Sequence, residues 1–263
     1  MLGELVHEAR RRASELRPRE AELASSGRSA GAAASFVSAL RRTDVAVICE
    51  IKRRSPSKGV IAENLDVSSR AREYATGGAA ALSVLTEPTR FGGSLTDLET
   101  ARREVGLPIV RKDFIVDPLQ LLETRTLGAS AVLLIARALP PTRLLELARL
   151  AADLGLDALV EVRDERELAV ALESGAPVVG VNTRNLETLA IDPATAELLI
   201  PMIPRDRVAV FESGISTRAD VERAAACGAD AVLVGSSISA AADASRAVSQ
   251  LAGVPARPRG SRA

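Results

Sequence analysis

Short apolar runs and longer amphipathic stretches alternate along the chain from Val45 onward. The short runs are rich in β-branched residues and have the length of buried strands, whereas the longer stretches repeat apolar residues at helical spacing. The predicted strands span residues 45–51, 80–85, 108–112, 131–136, 157–162, 177–182, 207–212 and 230–235. The clearest predicted helices span residues 118–127, 141–154, 165–172 and 218–226. Strands that alternate with helices in this way indicate βαβ crossovers and a parallel sheet.

Residues that begin and end helices support these boundaries. Asp117 stands before Pro118, an arrangement typical of a helix N-terminus, and glycines at 128, 155, 175 and 228 follow predicted helices. Eight strand–helix units predict an α/β protein with a closed (β/α)8 TIM barrel. A doubly wound sheet is the alternative, but the loop after the first strand lacks a GxGxxG fingerprint and no second compositional region follows.

The chain divides into a barrel and two flanking segments. Its 263 residues suit one barrel of this kind. Residues 1–44 are rich in arginine, glutamate and alanine and have a helical pattern, which predicts one or two extra helices packed on the barrel. The barrel is expected to span residues 45–251, and residues 252–263, which end in PARPRGSRA, are predicted to be a disordered tail.

Charge and cysteine content narrow the range of partners. Lys+Arg and Asp+Glu both total 34, so no net field favours nucleic acid or an anionic membrane. The apolar runs are too short to span a bilayer, and the first twelve residues lack the apolar segment of a secretory signal. Cys49 and Cys227 lie far apart and form no zinc-type motif. We therefore expect a soluble cytoplasmic protein without nucleic-acid or membrane partners.

Lysine is confined to two short stretches of this arginine-rich chain. Only three of the 34 basic residues are lysines: Lys52, Lys58 and Lys112. Arginine stays protonated in proteins, whereas a lysine can shift its pKa and give up a proton. The placement of the lysines in KRRSPSK and RKD therefore indicates acid–base chemistry there, with chance placement as the alternative.

Ionisable residues also gather at the carboxyl ends of the predicted strands, where barrels of this type carry their active sites. They are Glu50, Lys52, Lys112, Glu161 and Glu212. Side chains alternate along a strand, so Glu50 and Lys52 face the same way, toward the barrel mouth. Such residues are costly among apolar neighbours unless they are paired. The pattern predicts an acid–base site, and an ion-pair layer that only plugs the barrel is the alternative.

Two glycine turns and two aromatic residues suggest the kind of ligand. The turns at residues 212–216 and 234–237 follow the seventh and eighth strands, where barrels commonly bind phosphate. Phe91 and Phe114 fall on loops and are expected to form apolar walls for a flat ligand, or else to anchor those loops. His7, the only histidine, lies in the N-terminal extension, so we expect no catalytic triad and no metal site.

Six segments, in order along the chain, resemble the indole-3-glycerol-phosphate synthase family over residues 45–240: ICEIKRRSPSKG, ALSVLTE…FGGS, PIVRKDFIVDPLQ, LVEVRDEREL, VGVNTRNLETLAID and FESGI. The resemblance implies a carbon–carbon lyase of tryptophan biosynthesis. Its substrate would be 1-(2-carboxyphenylamino)-1-deoxyribulose 5-phosphate, which loses CO₂ and water to give indole-3-glycerol phosphate. No cofactor is expected, because the arylamine nitrogen of the substrate itself supplies the electron push.

The resemblance also implies roles for individual residues. Lys112 would be the general acid and Glu161 its general-base partner, while Lys52 would hold the substrate carboxylate or serve a second proton transfer. Glu50 and Glu212 would fix the lysines and stabilise positive charge on nitrogen, and Asn182 would orient the substrate. The implied substrate-binding residues are Ser55, Pro56, Ser57, Phe91, Phe114, Arg184, Leu186, Ser213, Gly214, Gly235 and Ser236. Ser236 departs from the acidic or bulkier residue that often follows the last strand in the family.

Two rival functions remain open at this point. Another phosphosugar barrel, such as a phosphoribosylanthranilate isomerase, would share the phosphate turns but is not expected to need Glu50, Lys52, Lys112 and Glu161 together. A catalytically silent barrel that only binds a phosphorylated metabolite is disfavoured by the intact lysines and glutamates. The expected partner is a small phosphorylated substrate, and the chain is expected to be a monomer or a weak homo-oligomer.

Overall fold

Eight parallel strands close into a barrel in this protein. The structure is a computed structural model that describes residues 1–29, 31, 33–185 and 187–259. The strands in chain order are β1 (Ala46–Ile51), β2 (Arg54–Ser55), β3 (Gly59–Val60), β4 (Ala81–Leu85), β5 (Ile109–Lys112), β6 (Ala131–Ile135), β7 (Asp157–Val162), β8 (Val178–Asn182), β9 (Val208–Glu212) and β10 (Ala231–Val234). The short strands β2 and β3 pair as a hairpin, and the other eight follow one another around the barrel as β1-β10-β9-β8-β7-β6-β5-β4. The predicted TIM barrel is confirmed, with strand ends within one residue of those predicted.

Helices precede the barrel and cover its outside. They are α1 (Leu2–Glu15), α2 (Glu20–Ser29), α3 (Phe36–Leu40), α4 (Val67–Thr76), α5 (Leu95–Glu104), α6 (Pro118–Thr126), α7 (Pro141–Asp153), α8 (Glu165–Glu173), α9 (Ala194–Leu199), α10 (Arg218–Ala226), α11 (Ser236–Ser239) and α12 (Ala244–Ser249). The predicted cap is present, because the Asp117 carboxylate accepts from Leu119 N while the Gln120 side chain accepts from Asp117 N. No described helix is long and apolar enough to cross a membrane.

The N-terminal helix α1 packs against the end of the barrel where the strands finish. Leu5, Ala9 and Ala13 are its buried residues. Its Arg12 donates two hydrogen bonds, of 2.9 and 2.8 Å, to the carboxylate of Asp113, the residue that follows β5. A bidentate arginine–carboxylate pair of this kind fixes orientation as well as distance. Helix α1 therefore closes over the carboxyl ends of the strands, whereas Val37 of α3 donates to Asp157 at the start of β7.

The C-terminal segment packs against the opposite end of the barrel. Ala256 N donates to Thr43 O at 3.0 Å, and Arg259 is buried. The Arg259 guanidinium donates to the carbonyls of Ile203, Pro204, Arg207 and Gly228. Composition predicts disorder for residues 252–263, but residues 252–259 pack against the barrel. The hydrogen bonds of the Arg259 side chain hold the backbone of this segment in place. Residues 260–263 lie outside the described part of the chain.

The strand register brings the polar residues of the barrel interior to similar heights. Glu50 pairs with Ser83, Leu85 with Lys112, Ile135 with Glu161, and Asn182 with Glu212 across neighbouring strands. Side chains with the same orientation on adjacent strands lie on one face of a sheet. The register therefore places the ionisable side chains together at the mouth of the barrel.

Candidate active site

A cavity of about 350 Å³ opens at the carboxyl ends of the barrel strands. Its lining includes these predicted site residues: Glu50, Lys52, Ser55, Pro56, Ser57, Phe91, Lys112, Phe114, Glu161, Asn182, Arg184, Ser213, Gly214, Gly235 and Ser236. Glu212 does not line the cavity but lies buried beside Lys112. Leu186, also predicted to bind substrate, lies outside the described residues. The structure thus brings predicted residues from several strands and loops together in one site.

Glu50 lies between the two lysines of the cavity floor. Its Oε1 forms an ion pair with Lys52 Nζ, and its Oε2 lies 3.0 Å from Lys112 Nζ. Lys112 Nζ is also 3.6 Å from Glu212 Oε2. Both lysine side chains are largely shielded from solvent, at 12% and 19% exposure. Charges in such a setting interact strongly because little water screens them.

These neighbours set the protonation of Glu50 and Lys112. Burial alone would raise the pKa of Glu50, but the charges of Lys112 and Lys52 lower it to about 2. Burial would lower the pKa of Lys112, but the carboxylates of Glu50, Glu212 and Glu161 raise it above its ordinary value. At neutral pH Glu50 is therefore ionised and Lys112 is protonated.

Glu212 has the opposite environment to Glu50. Neither of its carboxyl oxygens has a hydrogen-bond partner among the described residues. Burial raises its pKa, the charge of Lys112 opposes that effect, and Glu161 and Glu50 add to it, giving a pKa of about 8. Burial therefore favours the protonated form of the Glu212 carboxyl, whereas the two lysines favour the ionised form of Glu50.

Two glycines make room for this cluster. A Cβ at Gly180, in the middle of β8, would lie 1.9 Å from Glu212 Oε1. A Cβ at Gly235 would lie 2.3 Å from Glu50 Oε1 and 2.8 Å from Lys52 Nζ. The sequence identifies Gly235 only as part of a phosphate turn and does not single out Gly180. The sequence did hold a signal for Gly180, because a glycine inside an apolar strand often marks the close approach of another group.

Asn182 is held in place from both sides. Its Oδ1 accepts from Ser213 Oγ at 2.9 Å and from Arg184 N at 3.0 Å, which leaves its Nδ2 to donate to a ligand. Ser213 and Gly214 both have positive φ angles, of 70° and 77°. Two successive left-handed residues form a tight turn after β9, where the sequence predicts a phosphate site. The same hydrogen bonds therefore join the predicted phosphate turn to a predicted catalytic residue.

The cavity has further contributors beyond the predicted catalytic and substrate-binding residues. They are Met1, Leu2, Leu5, Lys58, Leu85, Glu87, Asp113, Leu133, Ile135, Leu189, Ile191, Ile215, Ser216, Leu233 and Ser237. Ser216 and Ser237 belong to the loops already predicted to bind phosphate, and the strand leucines follow from alternation. The residues from α1 could not be foreseen, because no local pattern shows where a separate helix docks. No group of histidine, cysteine, aspartate and glutamate in the described residues could hold a metal ion.

Fold and site together define a (β/α)8 barrel with a cluster of lysines and glutamates at its mouth, as in a barrel enzyme. The family model described as indole-3-glycerol phosphate synthase matches residues 3–251. Indole-3-glycerol phosphate synthase 1 of Streptomyces coelicolor is 50% identical over 222 residues, which cover 84% of this chain and 82% of that protein. The enzyme of the same name from Nocardioides sp. is 52% identical over 214 residues, covering 81% and 82%. The chain therefore belongs to the indole-3-glycerol phosphate synthase family.

Solved structures show the same fold at much lower identity. A 3-hexulose-6-phosphate synthase from Salmonella typhimurium has a TM-score of 0.64 at 17% identity, covering 79% of this chain and 98% of that one. The tryptophan synthase α subunit of Legionella pneumophila has a TM-score of 0.61 at 13% identity, covering 83% and 97%. These likenesses concern the barrel alone. Family membership confirms the expected function: the chain is a carboxy-lyase of tryptophan biosynthesis that acts on a phosphorylated small molecule.

Proposed function

We propose that this cavity closes the indole ring of 1-(2-carboxyphenylamino)-1-deoxyribulose 5-phosphate, with Lys112 as the general acid. The ring carbon that bears the carboxylate attacks the ketone, CO₂ leaves, and water is lost to give indole-3-glycerol phosphate. The observation that carries the proposal is the position of Lys112 on the cavity floor, 3.0 Å from Glu50 and 3.6 Å from Glu212. An ammonium held there can give its proton to the ketone oxygen as the new bond forms.

The other ionisable residues share the remaining steps. Glu161 would act as the general base that partners Lys112, since it lines the cavity and its charge acts on Lys112. Lys52, paired with Glu50, would hold the substrate carboxylate or serve the second proton transfer. Glu50 would fix the lysines and, together with Glu212 when that group is ionised, stabilise the positive charge that develops on the arylamine nitrogen. Ring closure and dehydration then need only proton transfers and fixed charges.

The rest of the cavity suits the remainder of the substrate. The phosphate is proposed to bind the turns at Ser213–Gly214 and Gly235–Ser236, which line the same cavity. Backbone N–H groups at such turns bind anions well. The carboxyphenyl ring would lie against Phe91 and Phe114. Asn182 and Arg184 would orient the hydroxyl groups of the sugar chain, and Ser55, Pro56 and Ser57 would cover it from the β2–β3 hairpin.

We also propose that the enzyme works in the cytoplasm as a monomer or a weak homo-oligomer. Cys49 and Cys227 are both free, which fits a reducing compartment. The balanced charge gives no reason to expect an anionic partner surface. Sedimentation at several protein concentrations tests the state of assembly, and a stable tetramer would contradict the proposal.

Replacement of Lys112 tests the assigned general acid. Lys112→Ala should lower kcat roughly 10²–10⁴-fold, the usual contribution of a positioned acid. Lys112→Arg should not restore activity, because a guanidinium does not release its proton. The assay follows indole fluorescence with the carboxyphenylamino-deoxyribulose phosphate in EDTA and without added cofactor. Arg149→Ala, which changes an exposed residue of α7, is the control.

Two outcomes would contradict the proposal at different levels. Near-normal turnover by Lys112→Ala would remove Lys112 from the role of acid while leaving the reaction in place. Tight binding of the substrate by the unaltered protein without any turnover would instead favour the silent metabolite-binding barrel.

A further inference from the structure

Glu87 is a buried acidic residue in the cavity lining to which the proposed reaction assigns no role. It lies two residues beyond β4 and is only 1% exposed. The neighbouring Arg12 and Arg90 form their ion pairs with other carboxylates, those of Asp113 and Glu4. A buried carboxylate without its own cation is costly unless hydrogen bonds satisfy it. The donors that satisfy Glu87 therefore show what the residue does.

All of those hydrogen bonds come from the loop that follows Glu87. Its Oε1 accepts from Thr89 N at 2.9 Å and from the Thr89 hydroxyl. Its Oε2 accepts from Arg90 N at 2.7 Å and Phe91 N at 3.1 Å. Three consecutive backbone N–H groups thus converge on one side chain, as they would on a bound anion. Gly93 N closes the loop by donating to Glu87 O at 2.9 Å.

The loop built on Glu87 carries one wall of the cavity. Phe91 lines the cavity with its side chain, and its backbone is held on both sides. Its N–H donates to Glu87, and its carbonyl accepts from Arg54 N of strand β2 at 3.1 Å. The β2–β3 hairpin in turn holds Ser55 and Ser57 against the same cavity. A shift of Phe91 would therefore move the ring wall and the hairpin together.

We infer that Glu87 is a positioning residue that sets the aromatic wall of the substrate site through the backbone of Phe91. The inference rests on the proposed binding of the carboxyphenyl ring against Phe91. Both Glu87 oxygens already accept two hydrogen bonds each from the loop, so the carboxylate is engaged and does not serve as a proton acceptor for substrate. Its effect falls on ring binding and not on the reacting atoms.

Glu87→Gln tests this role with little change in size. If its NH₂ group faces Arg90 N and Phe91 N, two hydrogen bonds to a charged acceptor are lost and the donors oppose each other. If it faces Thr89, the hydroxyl can turn to accept, but Thr89 N still meets a donor. We expect KM to rise roughly 10- to 100-fold, the loss that such hydrogen bonds represent, with kcat changed less than about threefold. Glu99→Gln on α5 makes the same chemical change at an exposed position and should leave both constants unaltered.

A double-mutant cycle shows whether Glu87 acts through Phe91. Phe91→Leu alone should raise KM, and adding Glu87→Gln to it should raise KM much less than Glu87→Gln does in the unaltered enzyme. Thr89→Ala removes one of the four donors, leaves the carboxylate intact, and should give a smaller rise in KM. This milder variant keeps the inference testable if Glu87→Gln does not fold.

The possible failures are distinguishable. A raised KM in Phe91→Leu with unchanged KM in Glu87→Gln and Thr89→Ala overturns the inference and leaves the proposed aromatic wall. Additive effects of Glu87→Gln and Phe91→Leu likewise overturn it. A fall in kcat of a hundredfold or more at constant KM would make Glu87 a proton-transfer group instead. Unchanged KM in Phe91→Leu would overturn the wall itself, and the inference with it.

Discussion

At the scale of single residues, the site depends on carboxyl groups that are chemically alike and differently charged. Glu50 contacts two lysines and its pKa falls to about 2, whereas Glu212 is buried without a hydrogen-bond donor among the described residues and its pKa rises to about 8. Active sites assign acid and base roles to neighbouring groups by giving them environments that push their pKa values apart. The ionised Glu50 helps to keep Lys112 protonated, while burial favours the neutral form of Glu212.

The protonation of Glu212 should be visible in the pH dependence of stability. Its pKa is about 8 in the folded chain against an ordinary 4.5, so the folded state keeps a proton that the unfolded state releases above pH 4.5. The stability tied to that proton is fully present below pH 4.5 and is lost as the pH rises through 8. Glu212→Gln mimics the protonated form and should not suffer this loss. The Tm of this variant relative to that of the unaltered chain should therefore rise by at least roughly 2–4 °C between pH 5 and pH 9.

Thermal unfolding at several pH values between 5 and 9 measures this difference. Glu50→Gln is the matched comparison, because the pKa of Glu50 is lowered and its ionised form stabilises the fold above pH 4.5. That variant should be less stable across the whole range. Parallel Tm curves for Glu212→Gln and the unaltered chain would show that Glu212 is ionised in the folded protein.

Sequence reasoning reached the residues whose position depends on strand alternation alone. Glu50, Lys52, Lys112 and Glu161 stand at strand ends, and the twofold period of a strand suffices to point them toward the barrel mouth. Whether a side chain lines the cavity or lies beneath it depends on the stagger of neighbouring strands, so the depth of Glu212 could not be predicted. The burial of Glu87 could not be predicted, because it depends on the path of the loop that follows β4.

At the scale of elements, strand β5 shows how one alternation separates chemistry from stability. Lys112 points into the cavity, and the preceding Arg111 points outward, under α6, where it is 2% exposed. Arg111 donates to Glu123 at 2.9 Å, to Thr86 Oγ1 at 3.1 Å and to Asp113 at 3.3 Å. Two adjacent cations thus have different roles: Lys112 faces the cavity, and Arg111 joins the strand to α6.

Loss of Arg111 should therefore cost stability. Arg111→Ala leaves the buried Glu123 and Asp113 short of a partner, and we expect unfolding free energy to fall by about 3–5 kcal/mol. Arg111→Lys should recover little, because an ammonium cannot reproduce the planar fork of donors. Urea unfolding measures the change, with Arg103→Ala on the exposed face of α5 as a control expected to stay within about 0.5 kcal/mol. A loss below about 1 kcal/mol for Arg111→Ala would contradict the assignment.

Periodicity predicted the elements of the barrel well, but it does not say where the extension packs on the barrel. Glycine stops and the Asp117 cap mark helix ends locally, so the bounds of α6, α7, α8 and α10 followed from sequence to within one residue. The docking of α1 depends on Arg12 meeting Asp113, two residues far apart in the chain. No local pattern contains such a contact, and the lining of the cavity by Leu2 and Leu5 was therefore not foreseen.

At the scale of the whole molecule, the two ends of the barrel have different tasks. The carboxyl ends of the strands hold the cavity, and the opposite end is covered by the segment that leads to Arg259. In TIM barrels the first face carries catalysis and the second contributes stability. The covering segment follows residue 251, where the match to the family model ends.

Arg259 provides a test of this division. Its side chain, 5% exposed, pairs with Asp230, whose carboxylate also accepts from Ala209 N at 2.7 Å at the base of β9. Arg259→Ala removes that pair and leaves buried carbonyls without a donor, so unfolding free energy should fall by about 1–3 kcal/mol. Because Asp230 is one-third exposed, the loss should stay below that of a fully buried pair.

The same variant should leave catalysis unaltered, because Arg259 lies at the end of the barrel opposite Lys112. Chemical unfolding and steady-state kinetics on Arg259→Ala separate the two effects, and Arg257→Ala, an exposed arginine of the same segment, controls for loss of charge. A lower unfolding free energy with unchanged kcat and KM is expected only if the C-terminal segment stabilises the barrel from below. A fall in kcat at temperatures where the variant remains folded would mean that the two ends are coupled, and that strain at the base of β9 and β10 reaches Glu212 and Gly235 along the strands.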